Sequence, residues 1–143
     1  MNFKGHIITG LIFFFFTIAF GAYTGYIPFS WKTLLLGLPI ALYASILPDI
    51  DIHSWARKIT MVGLAIIGGI AEYLGKYTWI VYICFIVMGG LHLLSHRGIT
   101  HTWFFASCMA LLTYLGLGWT YALFVLVGFA AHLCADKIPT KII

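Results

Sequence analysis

Apolar runs follow one another along the whole chain, and they determine the solvent in which it folds. With 62% apolar and 8% charged residues and a mean hydropathy of +1.03, these 143 residues are too apolar for a water-soluble domain. Several runs are nearer 16 residues than the ~20 that a bilayer core requires. We therefore expect an all-α, polytopic membrane helical bundle with about six membrane-embedded helices, some of them short. The runs cover roughly residues 7–26, 31–47, 59–75, 77–95, 102–117 and 119–135.

The breaks between the runs are short, which predicts one integral membrane domain over residues 1–143. The first run is expected to be retained, because a signal peptide would be followed by a polar mature chain. The last break, at residues 116–118, is so short that the fifth and sixth runs could form a tight helical hairpin or one bent element. Whether segments 102–117 and 119–135 are two full spans therefore stays open.

The cations predict the orientation of the chain. If the spans alternate, most Lys and Arg residues fall on one face, which the positive-inside bias makes cytoplasmic. Both termini are then cytoplasmic, in a multi-pass protein of the inner (plasma) membrane. The basic pI of about 9.1 reflects these flanking charges, so no nucleic-acid partner is expected. The richer face carries Lys4, Arg57, Lys58, Arg97, Lys137 and Lys141, and the other carries Lys32 and Lys76.

His132 and Asp136 lie four residues apart near the end of the sixth run. On a helix this spacing places both side chains on one face, where imidazole nitrogen and carboxylate oxygen can hold one zinc or manganese ion. The alternative is a hydrogen-bonded pair at a helix end. An ionised Asp beside lipid costs several kcal/mol unless it is compensated, and this cost favours a bound cation.

Asp49 and Asp51 follow Pro48, which is expected to end the second helix and leave two carboxylates at the membrane edge. Helix capping is the competing interpretation, since Asp51 or Ser54 could cap the next segment. Capping does not need both acids, and two nearby carboxylates repel each other unless they share a metal or a proton. We therefore predict metal ligation, with either carboxylate also a candidate catalytic base.

The densest cluster spans residues 95–102. His96 and His101 are five apart across Gly98, so they can converge only if the helix breaks at that glycine. Both are predicted ligands, while His92 is less strongly indicated. Arg97 suits bidentate capture of phosphate, although it could equally be a topogenic charge.

The same clusters, taken together and in order, resemble the YdjM-like inner-membrane proteins. The resemblance covers nearly the whole chain. It rests on the early His6, the stretch from Leu47 to Ser54, the block His96-Arg97-Gly98-Ile99-Thr100-His101-Thr102, and the stretch from His132 to Asp136. That family is regarded as metal-dependent hydrolases, and one member is described as LexA-binding. The TH and HxxxD elements are more distantly similar to zinc-dependent phospholipase C.

The resemblance implies a metal site that unites all these clusters. The soluble zinc phospholipases have further His and Glu ligands downstream of HxxxD, whereas residues 137–143 contain neither. This difference favours one or two ions over three, with zinc more strongly indicated than manganese. The implied metal-site residues are His6, Asp49, Asp51, His96, His101, His132 and Asp136.

A divalent ion at headgroup level can activate water and neutralise phosphoryl charge. We therefore expect a membrane-embedded, metal-dependent hydrolase that acts on a phosphoester of a lipid or lipid-linked substrate, with membrane lipids as its partners. The alternative is a non-catalytic protein in which a structural metal joins helix ends and a cytoplasmic protein partner binds. A transporter would need ionisable residues near the bilayer midplane. The sequence places almost none there, so a transporter is disfavoured. The sequence does not indicate an oligomeric state.

Overall fold

Six α-helices make up most of the part of the chain that the structure describes. The computed structural model describes residues 3–51, 54–75, 78–90 and 98–136, and every regular element in these ranges is helical. The predicted all-α bundle is thus confirmed. Two short 3-10 helices, Leu47–Asp51 and Ile99–His101, lie before α3 and α5. The helices are α1 (Phe3–Thr24), α2 (Trp31–Ile46), α3 (Trp55–Leu74), α4 (Thr78–Gly90), α5 (Trp103–Leu117) and α6 (Trp119–Asp136).

Hydroxyl side chains cap the start of three helices. The side chain of Ser30 accepts a hydrogen bond from the backbone N–H of Thr33, and Ser54 and Thr102 do the same for α3 and α5. Such a cap satisfies a backbone donor that the first turn leaves without a helical partner. Since Ser54 caps α3, this role does not account for Asp49 or Asp51.

The chain folds into two compact units. The first comprises Met1–Pro48 and Ile99–Ile143, and the second comprises Asp49–Gly98. The first unit holds α1, α2, α5 and α6, and the second holds α3 and α4. The expectation of a single domain stays a prediction.

α5 and α6 form a tight antiparallel hairpin. Gly118 is the residue that joins them, and its φ of +94° lies in a region that side chains strongly disfavour. Ala110 packs with Ala122, and Ala106 packs with Phe129 further from the turn. The pairing of residues progressively further from Gly118 is that of two antiparallel helices. Of the two alternatives, the hairpin is therefore correct, and one bent element is not.

Large apolar side chains cover the outside of the first unit, and its interior combines small residues with a few buried phenylalanines. Phe16 and Leu115 are 71% and 72% exposed, whereas Ala41 and Ala106 are fully buried. An exposed apolar surface of this extent is unfavourable in water and favourable in lipid. Within the described residues, three helical segments are long and apolar enough to cross a membrane, and shorter apolar helices accompany them. They are α1, the stretch Trp31–Ile50, which comprises α2 and most of the following 3-10 helix, and α6. The protein is therefore a membrane protein.

Candidate metal centre

Polar groups from four segments of the chain lie close together at one end of the first unit. α1 and α5 begin at this end, and α2 and α6 finish there. His6 lies in the first turns of α1, and His132 and Asp136 lie in the last turns of α6. His101 ends the 3-10 helix before α5. Helix ends from distant parts of the sequence thus meet, as counting the apolar runs predicts.

Small residues one helical turn from the histidines allow this close approach. A Cβ added at Gly10 would lie 2.7 Å from Ser45 Oγ, and one added at Gly128 would overlap the Ala41 carbonyl. Gly10 is four residues from His6, and Gly128 is four residues from His132. Side chains at this spacing lie on the same helix face. The glycine contacts therefore hold α1 and α6 against α2 in the register that brings the two imidazoles together.

The two imidazoles stack in the buried interior. The ring centroids of His6 and His132 are 4.1 Å apart with an interplanar angle of 17°, and both side chains are fully buried. His101 lies edge-on to His132, with the centroids 5.3 Å apart, and is 8% exposed. His132 is thus the central residue of the cluster.

A backbone carbonyl fixes the tautomer of His132. Its Nδ1 lies 2.9 Å from the carbonyl oxygen of Ser45, which can only accept a hydrogen bond. The Nδ1 atom must therefore carry the proton, so in the neutral ring Nε2 presents a lone pair. Histidines that bind metals commonly donate their other nitrogen to a carbonyl in this manner.

Asp136 lies between two histidines at the end of α6. Its Oδ1 is 3.2 Å from His6 Nε2, its Oδ2 is 3.5 Å from His132 Nε2, and its side chain is 8% exposed. Because the neutral His132 ring has a lone pair at Nε2, this nitrogen and the carboxylate are both acceptors. A cation shared between them, whether a metal ion or a proton on the ring, removes the repulsion. The predicted convergence of His132 and Asp136 on one helix face is present.

His101, His132 and Asp136 have the geometry of a metal-binding set. Each offers one ligand atom, and these atoms lie within 4.8 Å of one another. Two imidazoles and one carboxylate are ordinary ligands for zinc and for manganese. The donor set thus fits a divalent cation, although it does not identify the metal.

Of the other predicted site residues, two acids follow α2. Asp49 and Asp51 belong to the 3-10 helix that follows α2, as the position of Pro48 predicts, and Asp49 is half-buried. The side chain of Asp51 lies outside the described residues, as do His96 and Arg97 in full. Their roles stay predictions. His92, which the sequence indicated less strongly, also lies outside the described residues.

Sequence reasoning missed the residues that position the ligands. The Ser45 carbonyl orients His132, yet no side-chain pattern identifies a backbone acceptor. Gly10 and Gly128 lie inside apolar runs, where their contacts with α2 are decisive. A signal was available, since each of them is four residues from a histidine.

Comparison with known proteins identifies the family. The structure defines the class of protein. It is a helical membrane protein with a buried cluster of His and Asp side chains at one end of its first unit. The family model of the YdjM inner membrane protein matches residues 1–141, so the chain belongs to the YdjM inner membrane protein family. No curated protein and no solved structure matches it.

Proposed function

We propose that this multi-pass protein of the inner membrane binds a divalent cation and hydrolyses a phosphoester of a lipid or lipid-linked molecule at the cytoplasmic interface. The observation that carries the proposal is the convergence of His101, His132 and Asp136 within 4.8 Å, with the His132 Nδ1 proton directed to a carbonyl. Three protein ligands of mixed nitrogen and oxygen character are typical of catalytic zinc sites, which keep one position for water.

The residues take distinct roles in this proposal. His101, His132 and Asp136 hold the ion, and His6 orients the Asp136 carboxylate from 3.2 Å. A bound divalent ion would supply an activated water and neutralise charge on the phosphoryl oxygens. Zinc is favoured because two of the three ligands are imidazoles, and manganese becomes competitive as carboxylates are added.

Asp49 is proposed as a further ligand of one or two ions because of its place in the sequence, two residues before a second acid in the 3-10 helix after α2. It directly follows Pro48, which is fully buried. Asp51 lies at the end of the same 3-10 helix, and either carboxylate is a candidate base for the attacking water. Arg97 is assigned to the phosphate of the substrate, because a guanidinium binds phosphate oxygens in a bidentate manner.

The experiment measures metal content and lipid hydrolysis on the full chain in lipid nanodiscs. We expect one or two zinc ions per chain, and release of a phosphorylated or dephosphorylated product from a panel of phospholipids. His132→Ala should lose both properties. Cys134→Ala, an exposed position on the same helix, should keep both. A protein without stoichiometric metal would refute the metal centre.

The burial of the cluster supports a second candidate function. His6 and His132 are fully buried, as expected for a structural ion that is closed off from water and joins helix ends. Such a protein would present its cytoplasmic face to a protein partner. Cobalt-substituted protein separates the two, because a catalytic site should exchange its water ligand with added azide and shift its visible spectrum. A closed structural site should not respond, and stable metal without hydrolysis would favour it.

A further inference from the structure

Arg57 is a buried cation in the first turn of α3. Its side chain is only 8% exposed. The next residue, Lys58, is exposed and places its Nζ 5.2 Å from the centroid of the Trp55 ring. The two cations therefore differ in environment although they are adjacent. A buried guanidinium loses its hydration, so it requires an anionic group nearby.

Few anions are available to Arg57, because the whole chain has four acidic residues. Asp136 belongs to the other compact unit, where it contacts His6 and His132. Glu72 is exposed and lies fifteen residues further along α3, which corresponds to about 22 Å of helix. The two carboxylates of the 3-10 helix that precedes α3 are the nearest to Arg57 along the chain, and they belong to the same unit.

Ser54 fixes the backbone of Asp49 close to that of Arg57. Its Oγ donates a hydrogen bond to the Asp49 carbonyl at 2.6 Å and accepts one from the Arg57 N–H at 3.3 Å. The two backbone groups thus meet at a single hydroxyl oxygen. From this position the long Arg57 side chain can reach the Asp49 carboxylate, and Asp49 and Arg57 belong to the same compact unit.

We propose that Arg57 is a positioning residue that pairs with the Asp49 carboxylate and holds it in the orientation required for metal binding. The proposal rests on the proposed function, in which Asp49 is a ligand. Carboxylates that bind metals are usually hydrogen-bonded by a second residue, and the planar fork of Arg fits a carboxylate in a bidentate manner. The remaining oxygen lone pairs of Asp49 stay directed to the ion.

The test is a double-mutant cycle on zinc affinity, measured with a competing chromophoric chelator on the full chain in nanodiscs. Arg57→Met should weaken zinc binding about 10- to 100-fold, the usual effect of removing such an orienting group. Asp49→Asn should also weaken it. The double variant should bind zinc no more weakly than Asp49→Asn alone, because Arg57 acts through that carboxylate. Lys58→Met, at the exposed neighbouring position, should bind zinc as wild type does.

A conservative variant separates this role from a purely structural one. Arg57→Lys keeps the charge, so it should regain part of the affinity that Arg57→Met loses, at unchanged helix content by circular dichroism. Equal affinities for the Lys and Met variants would reject the ion pair. Additive losses in the cycle, or coupling of Arg57 to Asp51→Asn in place of Asp49→Asn, would reject the assignment to Asp49. If wild type binds zinc and Arg57→Met binds it equally well, only the role of Arg57 fails. If wild type binds none, the metal centre fails with it.

Discussion

Replacing Gly128 by Ala tests whether close helix packing positions the metal ligands. A Cβ at this position would overlap the Ala41 carbonyl oxygen and lie 2.8 Å from Ala44 Cβ, whereas ordinary contact begins at 3.4 Å. Both neighbours belong to the α2 helix, and neither is the far end of a flexible side chain. α6 must therefore move away from α2 by about 1 Å to restore normal separations.

A shift of this size is large for the site one turn further along α6. The hydrogen bond from His132 Nδ1 to the Ser45 carbonyl measures 2.9 Å, so the same displacement would break it. Metal sites tolerate deviations of about 0.2 Å in ligand distances. We expect zinc affinity to fall about 10- to 100-fold, as when a ligand loses its orienting partner. The overpacked contact should also cost about 1–3 kcal/mol of stability.

The assay is zinc affinity by chelator competition, combined with thermal unfolding, on protein in nanodiscs. Gly116→Ala is the matched control, because Gly116 is helical and belongs to the same unit, and no neighbouring atom of the described residues lies within 4 Å of the place an added Cβ would take. It should leave zinc affinity unchanged. Wild-type zinc affinity in Gly128→Ala, or an equal loss in Gly116→Ala, would refute the reasoning.

Three further predictions concern the same unit. His101→Ala should abolish stoichiometric zinc by elemental analysis, whereas His6→Ala should retain zinc with about 10-fold or greater loss of affinity, because His6 orients Asp136 and is not needed as a ligand. Equal losses would contradict this difference. Gly118→Ala should lower the stability of the α5–α6 hairpin by about 1–3 kcal/mol, since its φ is +94°; unchanged thermal unfolding would contradict it. Zinc at 100 times its Kd should stabilise the protein by about 2.7 kcal/mol, and removal by a chelator should reverse the rise in Tm.

The helix boundaries could be predicted from sequence because apolar runs end at residues with a strong local preference. Ser30 and Thr102 stand just before α2 and α5, and Gly75 ends α3 with a φ of +63°. One clear deviation is the start of α3 at Trp55, where the apolar run begins only at residue 59. Its first turn carries Arg57 and Lys58, so an apolar count excludes it, although the Ser54 cap indicates the true start.

The ligand set could be predicted in part, to the extent that it depends on helix geometry and on the order of the spans. The spacing of His132 and Asp136 is enough to place both on one face, and the structure has them 3.5 Å apart. His101 meets them because α5 and α6 are antiparallel, as the short break between the fifth and sixth runs allows. The stacking of His6 on His132 requires the rotation and depth of α1 relative to α6, and neither follows from periodicity.

The glycines carry the missing information about the rotation and depth of α1 relative to α6. Their effect on helix packing depends on the solvent. In a water-soluble helix an internal glycine lowers helix stability. By that rule Gly10 and Gly128 would be neutral or unfavourable residues within apolar runs. In lipid, apolar surface gives little drive for helices to associate, and close backbone approach at small residues takes over that role. Both glycines lie one turn from a buried histidine, on the face that contacts α2. A small residue four positions from an intramembrane histidine thus predicts which helix face carries a ligand. The rule is specific enough to be tested, because exchanging Gly10 for Ala should disturb His6 while leaving the His101 side of the cluster in place.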